Sequence, residues 1–166
     1  MKRHPGLQRL SREHHVALVL AKQAQRFEGE TAEATRFMAE VAQAFAIELE
    51  PHFLAEESGL LAALDAAGQA VLAERTLAEH QTLRAVARRL AAGDTASLRR
   101  FGELLEAHIR FEERDLFPRA ESILPPQALS VIDRAARTPS SGDLCRLADA
   151  DPQCPPPVGK LPPTSS

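Results

Sequence analysis

Two stretches of this sequence place a glutamate four residues after a histidine: His52-Phe-Leu-Ala-Glu56 and His108-Ile-Arg-Phe-Glu112. Positions i and i+4 share one face of a helix, so each pair aims an imidazole and a carboxylate at the same point. Two other histidines directly follow a glutamate, as Glu13-His14 and Glu79-His80. Imidazole and carboxylate, with no thiolate nearby, form a donor set for a metal ion and disfavour iron–sulfur clusters and zinc-thiolate sites. Six such donors (His14, His52, Glu56, His80, His108 and Glu112) are too many for one tetrahedral zinc. They suit two ions sharing the carboxylates, as in di-iron sites built inside helical bundles. Iron and manganese both fit this set.

The two halves of the chain repeat one another. HFLAEESGLL from His52 aligns with HIRFEERDLF from His108, and REHHVAL aligns with AEHQTLR. Two helical hairpins, each carrying one His and one HxxxE, would bring four imidazoles and two carboxylates to a shared centre. A single histidine on an apolar face is ordinarily a hydrogen-bonded core residue. Two carboxylates buried with no cation, however, would cost several kcal/mol. On a helical wheel His14 falls in the stripe of Leu10, Ala17, Leu18 and Ala21, whereas His15 falls beside Lys22 and Arg26, which selects His14. His4 precedes the helix and is expected to be solvated. Glu57 and Glu113 point about 100° away from their neighbours and are read as solvated or supporting groups, not ligands. Arg84, one turn after His80, is expected to snorkel outward or hydrogen-bond a carboxylate.

These residues need four helices to position them. Apolar periodicity marks segments from about Gln8 to Phe27, Ala32 to Leu64, Ala70 to Ala91 and Asp94 to Phe117. Pro51 predicts a kink just before His52, and Pro118 predicts the end of the fourth segment. Gly93 fits a C-terminal cap and Asp94 an N-cap. A shorter amphipathic piece over about Pro126 to Arg137 is expected to pack across the bundle. The fold class is therefore all-α: an antiparallel up-down-up-down four-helix bundle with a short fifth helix. Residues 1–137 form one domain, and the Pro-rich stretch 138–166 is expected to be a disordered tail.

Composition narrows the function classes. The chain has 166 residues, a net charge of -3 and well-mixed charges, so no nucleic-acid footprint or membrane-binding basic patch is expected. No segment reads as a membrane span or signal peptide, which implies a cytoplasmic protein. Both cysteines, Cys145 and Cys154, lie in the tail, so no disulfide staples the core. The absence of Tyr excludes a tyrosyl-radical centre.

The motifs LSREHH, PHFLAEE, AEHQTLR and AHIRFEERDLFP resemble the hemerythrin family, in particular its HHE cation-binding domains, from Leu7 to about Leu124. The resemblance implies His14, His52, Glu56, His80, His108 and Glu112 as ligands of two non-haem irons. Both carboxylates and an oxo or hydroxo group would bridge them. Oxygen-carrying members have HxxxH on the third helix, where this chain has His80 and then Arg84. They also close with an aspartate five residues after the last histidine, where this chain has Glu112 four after His108. This points away from simple oxygen carriage, toward iron–sulfur-cluster repair proteins, the iron-sensing module of a ubiquitin ligase and small bacterial hemerythrin-like proteins. The function it implies is binding or sensing of dioxygen, nitric oxide or peroxide. The alternatives are a stress enzyme consuming peroxide or handling nitric oxide, and an iron-responsive module that meets a protein partner.

Overall fold

The computed structural model describes residues 3–135, with the backbone alone for 131 and 133–135; the expected tail and both cysteines lie outside them. Every regular element among the described residues is helical. A short 3-10 turn, Pro5–Leu7, leads into α1, Gln8–Arg26. The second rod runs through residues 31–66 as α2 (Thr31–Ala44), a π-helical stretch Phe45–Leu49, α3 (Glu50–Ala55), a second π-helical stretch Glu56–Leu61, and α4 (Ala62–Ala66). The third rod is α5, Ala70–Ala91. The fourth, residues 97–123, comprises α6 (Ser97–Phe111), a π-helical stretch Glu112–Leu116 and α7 (Phe117–Ile123). Last comes α8, Pro126–Ala135.

The core is two apolar clusters, and the rods alternate between them. One cluster holds Ala17 to Ala24, Met38 to Phe53, Leu83 to Leu90 and Leu98 to Ile109; the other holds Leu7, Leu10, Leu60 to Leu64, Ala73 and Phe111 to Leu124. The first rod therefore runs from the second cluster to the first, the second rod back, and so on. This is the antiparallel four-helix bundle expected from the periodicity. Helix α8 closes one end, setting Leu129 and Ile132 into the second cluster.

Ahead of Pro51 the helix is not regular, since the π-helical stretch Phe45–Leu49 precedes it. Pro118 departs from expectation: it does not end the fourth rod, which continues to Ile123. In each case a widened turn stands just upstream, and the residue before the proline reaches back five positions: Glu50 N–H to Phe45 O and Phe117 N–H to Glu112 O. Widening the turn makes room for a ring that the ordinary i−4 pattern would exclude. The rods end as the glycines suggest. Gly68 and Gly93 take φ of 76° and 89°. Gly93 N–H bonds Leu90 O and Asp94 N–H bonds Arg89 O, a Schellman cap. The Asp94 carboxylate accepts from Ala96 N–H and from the Ser97 hydroxyl, the latter at 2.8 Å, and leads into the fourth rod, which starts at Ser97.

Gly102 lets α1 and α6 approach closely, because a Cβ there would stand 2.4 Å from Ala21 O. A backbone carbonyl cannot rotate away, so overpacking in the upper part of the ~1–3 kcal/mol range is expected. The ~1 kcal/mol an alanine gains in helix propensity offsets only part of it. Gly102→Ala should lower the midpoint of thermal unfolding; an unchanged or raised midpoint would contradict this contact.

Candidate metal centre

The candidate residues meet between the two apolar clusters, at the level where each rod passes from one to the other. His14, His52, Glu56 and Glu112 place ligand atoms within 4.8 Å of one another, and so do Glu56, His80, His108 and Glu112. The two groups share both carboxylates. Glu56 lies between the histidine pairs: Oε1 is 3.3 Å from His52 Nε2, and Oε2 is 3.5 Å from His80 Nε2. Glu112 Oε2 lies 3.0 Å from His14 Nε2 and 3.3 Å from His108 Nε2. Both carboxylates begin a π-helical stretch, so the sequence repeat extends to the local backbone. Wide turns of this kind recur at functional sites.

All six side chains are buried, Glu56 and Glu112 completely. Their four carboxylate oxygens, with His80 Nε2 and His108 Nε2, have no hydrogen-bond partner. A buried polar atom without a partner costs free energy, and six converging on one point call for a cation. The histidine orientation says the same. His14 Nε2 and His52 Nε2 stand 3.0 Å apart, so two lone pairs would face each other unless a proton or a metal lies between them. The donors present therefore fit a pair of metal ions.

Four outer glutamates set those orientations. His14 Nδ1 donates to Glu113 at 2.8 Å, His52 Nδ1 to Glu13 at 2.7 Å, His80 Nδ1 to Glu57 at 2.9 Å, and His108 Nδ1 to Glu79 at 2.9 Å. Each rod contributes one of these glutamates, adjacent in sequence to one of the six inner residues. The pairs close a ring: the first rod supports the second, the second the third, the third the fourth and the fourth the first. Placing the proton on Nδ1 leaves Nε2 free as a metal donor. Sequence reasoning assigned Glu13 and Glu79 no role, although the Glu-His dipeptides were the signal. Glu57 and Glu113 are supporting groups. His4, expected in solvent, is half-buried and caps the first turn, its Nδ1 accepting from Gly6 N–H at 3.1 Å.

The electrostatics follow from burial set against these charges. Desolvation pulls the His52 imidazole down, but Glu56 and Glu13 outweigh it and raise its pKa to about 10. His14 and His80 are also raised: burial opposes the shift, and the glutamates around each overcome it. Burial pushes the Glu113 carboxyl up, yet bonds from His14, Ser11 and Arg3 bring it down to about 2. The centre is an electronegative chamber that stabilises positive charge, carried by protons or by metal.

A small cavity of about 10 Å³ adjoins it, bounded by His14, His52, His108 and the apolar side chains of Leu49, Phe53 and Ile109. That is room for about one water-sized molecule. Phe53 stacks on His80 at 3.9 Å between ring centres, and Phe117 on His14 at 5.2 Å.

Residues 5–120 match the family description Hemerythrin HHE cation binding domain. The chain belongs to the hemerythrin family. No curated protein and no solved structure matches it. As a hemerythrin HHE domain it is a metal-binding, iron-type domain, and it has buried His and Glu groups that could hold a metal ion. Hemerythrin domains bind small ligands at such a site. No helix among the described residues is long and apolar enough to cross a membrane.

Proposed function

We propose that this hemerythrin domain holds two iron ions, one served by His14 and His52 and the other by His80 and His108, with Glu56 and Glu112 shared. The observation that carries the reading is the pair of fully buried carboxylates, without a well-formed hydrogen bond and common to both histidine groups. When bound, iron would supply a redox-active centre with exchangeable positions for dioxygen, nitric oxide or peroxide. The protein's own part is to hold the imidazoles by their Nδ1 protons, exclude bulk water and admit only a small molecule. The small cavity beside His14, His52 and His108 favours a ligand near the size of a diatomic molecule over a bulky organic substrate.

Metal content per chain on anaerobically purified protein, followed by the visible spectrum in air, tests this. Two irons with near-ultraviolet oxo-bridge bands are the expected result, and the absence of Trp and Tyr leaves that region clear. Protein that takes up no iron after reconstitution would refute it. Loading should also release protons, because metal must displace those held at His14, His52 and His80. Calorimetric titrations in buffers of different ionisation enthalpy should show this release at pH 7; heats independent of buffer would contradict it.

A further inference from the structure

Each outer glutamate has an arginine on its far side: Arg9 on Glu13 at 2.7 Å, Arg3 on Glu113 at 2.6 Å, Arg75 on Glu79 at 2.8 Å and Arg84 on Glu57 at 2.8 Å. Arg9 and Arg75 reach a partner one turn along their own helix. Arg3 and Arg84 reach across instead: Arg3 binds Glu113 and Glu121 of the fourth rod, and Arg84 stands on the third rod and binds the second. Its Nε and Nη2 grip the two oxygens of Glu50 at 2.8 and 2.9 Å, leaving Nη1 for Glu57 Oε1. The same Glu57 oxygen accepts from His80 Nδ1 at 2.9 Å. The guanidinium also lies 5.7 Å from the Phe53 ring, and Phe53 stacks on His80 with the rings 11° from parallel. Arg84 therefore reaches His80 by two routes, through a hydrogen-bonded carboxylate and through a packed ring. A surface ion pair would need only the fork on Glu50; the third bond aims at the centre, from a side chain 19% exposed.

We infer that Arg84 is a positioning residue, which fixes His80 through Glu57 and so sets the affinity of the metal position that His80 and His108 serve. This rests on the two-metal reading above. A planar fork held by two carboxylates on the neighbouring rod gives Glu57 one orientation, and Glu57 gives His80 one. The position served by His14 and His52 depends on Arg3 and Arg9 instead and should be spared.

The test is ferrous iron binding under anaerobic conditions, measured for each of the two equivalents by chelator competition. Arg84→Met keeps the side chain's length against Phe53 but removes all three bonds. It should lose about 10–100-fold in affinity for one equivalent, the range typical of groups that orient metal ligands, and keep the other at the wild-type value. Arg84→Lys, with the charge but not the fork, should recover part of the loss. Glu57→Ala should lose at least as much at the same equivalent, and the double variant should lose no more than Glu57→Ala alone, since Arg84 acts through Glu57. Should Arg84→Met fail to give the helical circular dichroism of wild type, Arg84→Lys and Glu57→Ala carry the comparison. Two wild-type equivalents in Arg84→Met, equal weakening of both, or an additive double variant would overturn the inference and leave the centre standing. Wild-type protein that binds no iron would overturn the centre and this inference with it.

Discussion

Glu56→Gln protein is expected to fold, and to lose tight binding of the metal pair. The side chain is fully buried and stands between His52 Nε2 and His80 Nε2, so one substitution touches both positions. An amide has the same shape without the charge, and it offers a metal one neutral oxygen in place of a bridging carboxylate. Loss of affinity should exceed the ~100-fold seen when a mere supporting group is removed. In iron at a thousand times its dissociation constant, wild type should gain about 4 kcal/mol of stability, and the variant less than about 1.4 kcal/mol. Without metal the order changes. At pH 8 the imidazoles left without Glu56 can shed their protons, which a lysine or arginine there could not do, so the variant should fall within about 1–2 kcal/mol of wild type, below the 3–5 kcal/mol typical of a broken buried ion pair. Iron content and thermal unfolding, each with and without iron, make the comparison. A variant that still binds two irons tightly would sink the bridging role of Glu56.

Metal-free and metal-loaded protein should respond to rising pH in opposite senses. In the metal-free chain His52 is raised from 6.5 to about 10, with His14 and His80 raised as well. A raised histidine contributes stability that is fully present below its unfolded pKa and is lost as pH climbs through its folded one, here between about 6.5 and 10. The outer carboxylates act the other way. Glu13, Glu57, Glu79 and Glu113 are all depressed, so their contribution is present above 4.5 and is lost as pH falls, for Glu113 down to about 2. Metal-free protein should therefore be most stable between about pH 4.5 and 6.5. From pH 6.5 to 10 it should lose stability on the order of a few kcal/mol. Bound metal competes with the same protons, so the loaded protein should gain over much of that range. Chemical denaturation at a series of pH values tests both arms, and parallel pH profiles for the two forms would contradict this account.

Much of this was legible in the residue order because local rules govern it. An i+4 spacing puts His52 with Glu56 and His108 with Glu112 on one face wherever a helix forms, and a wheel separates His14 from His15 whatever the neighbours are. His14 is indeed buried and His15 exposed. The glycine caps depend on two or three consecutive residues and were equally readable. Pro118 was misjudged because a single-residue rule assumes an ordinary α-helix around it. Pro51 and Pro118 are accommodated by wide turns, and nothing in the local sequence announces those.

The roles of Glu13, Glu57, Glu79 and Glu113 belong to a different scale. Each glutamate supports a histidine on another rod, at separations from 23 to 99 residues. Which rod it meets depends on how the helices pair and how far each is rotated, and helical periodicity carries neither. The same holds for Arg84, whose hydrogen bonds are read from one rod to the next. Helix content, the inward stripe and the choice of the six side chains that meet inside were carried by the chain's own spacing, since backbone geometry converts spacing directly into direction. The closed ring of His–Glu bonds, the choice of Nε2 as the inward nitrogen and the small cavity beside it came from packing. They exist only once four amphipathic faces have buried one another and brought distant charges within hydrogen-bond reach.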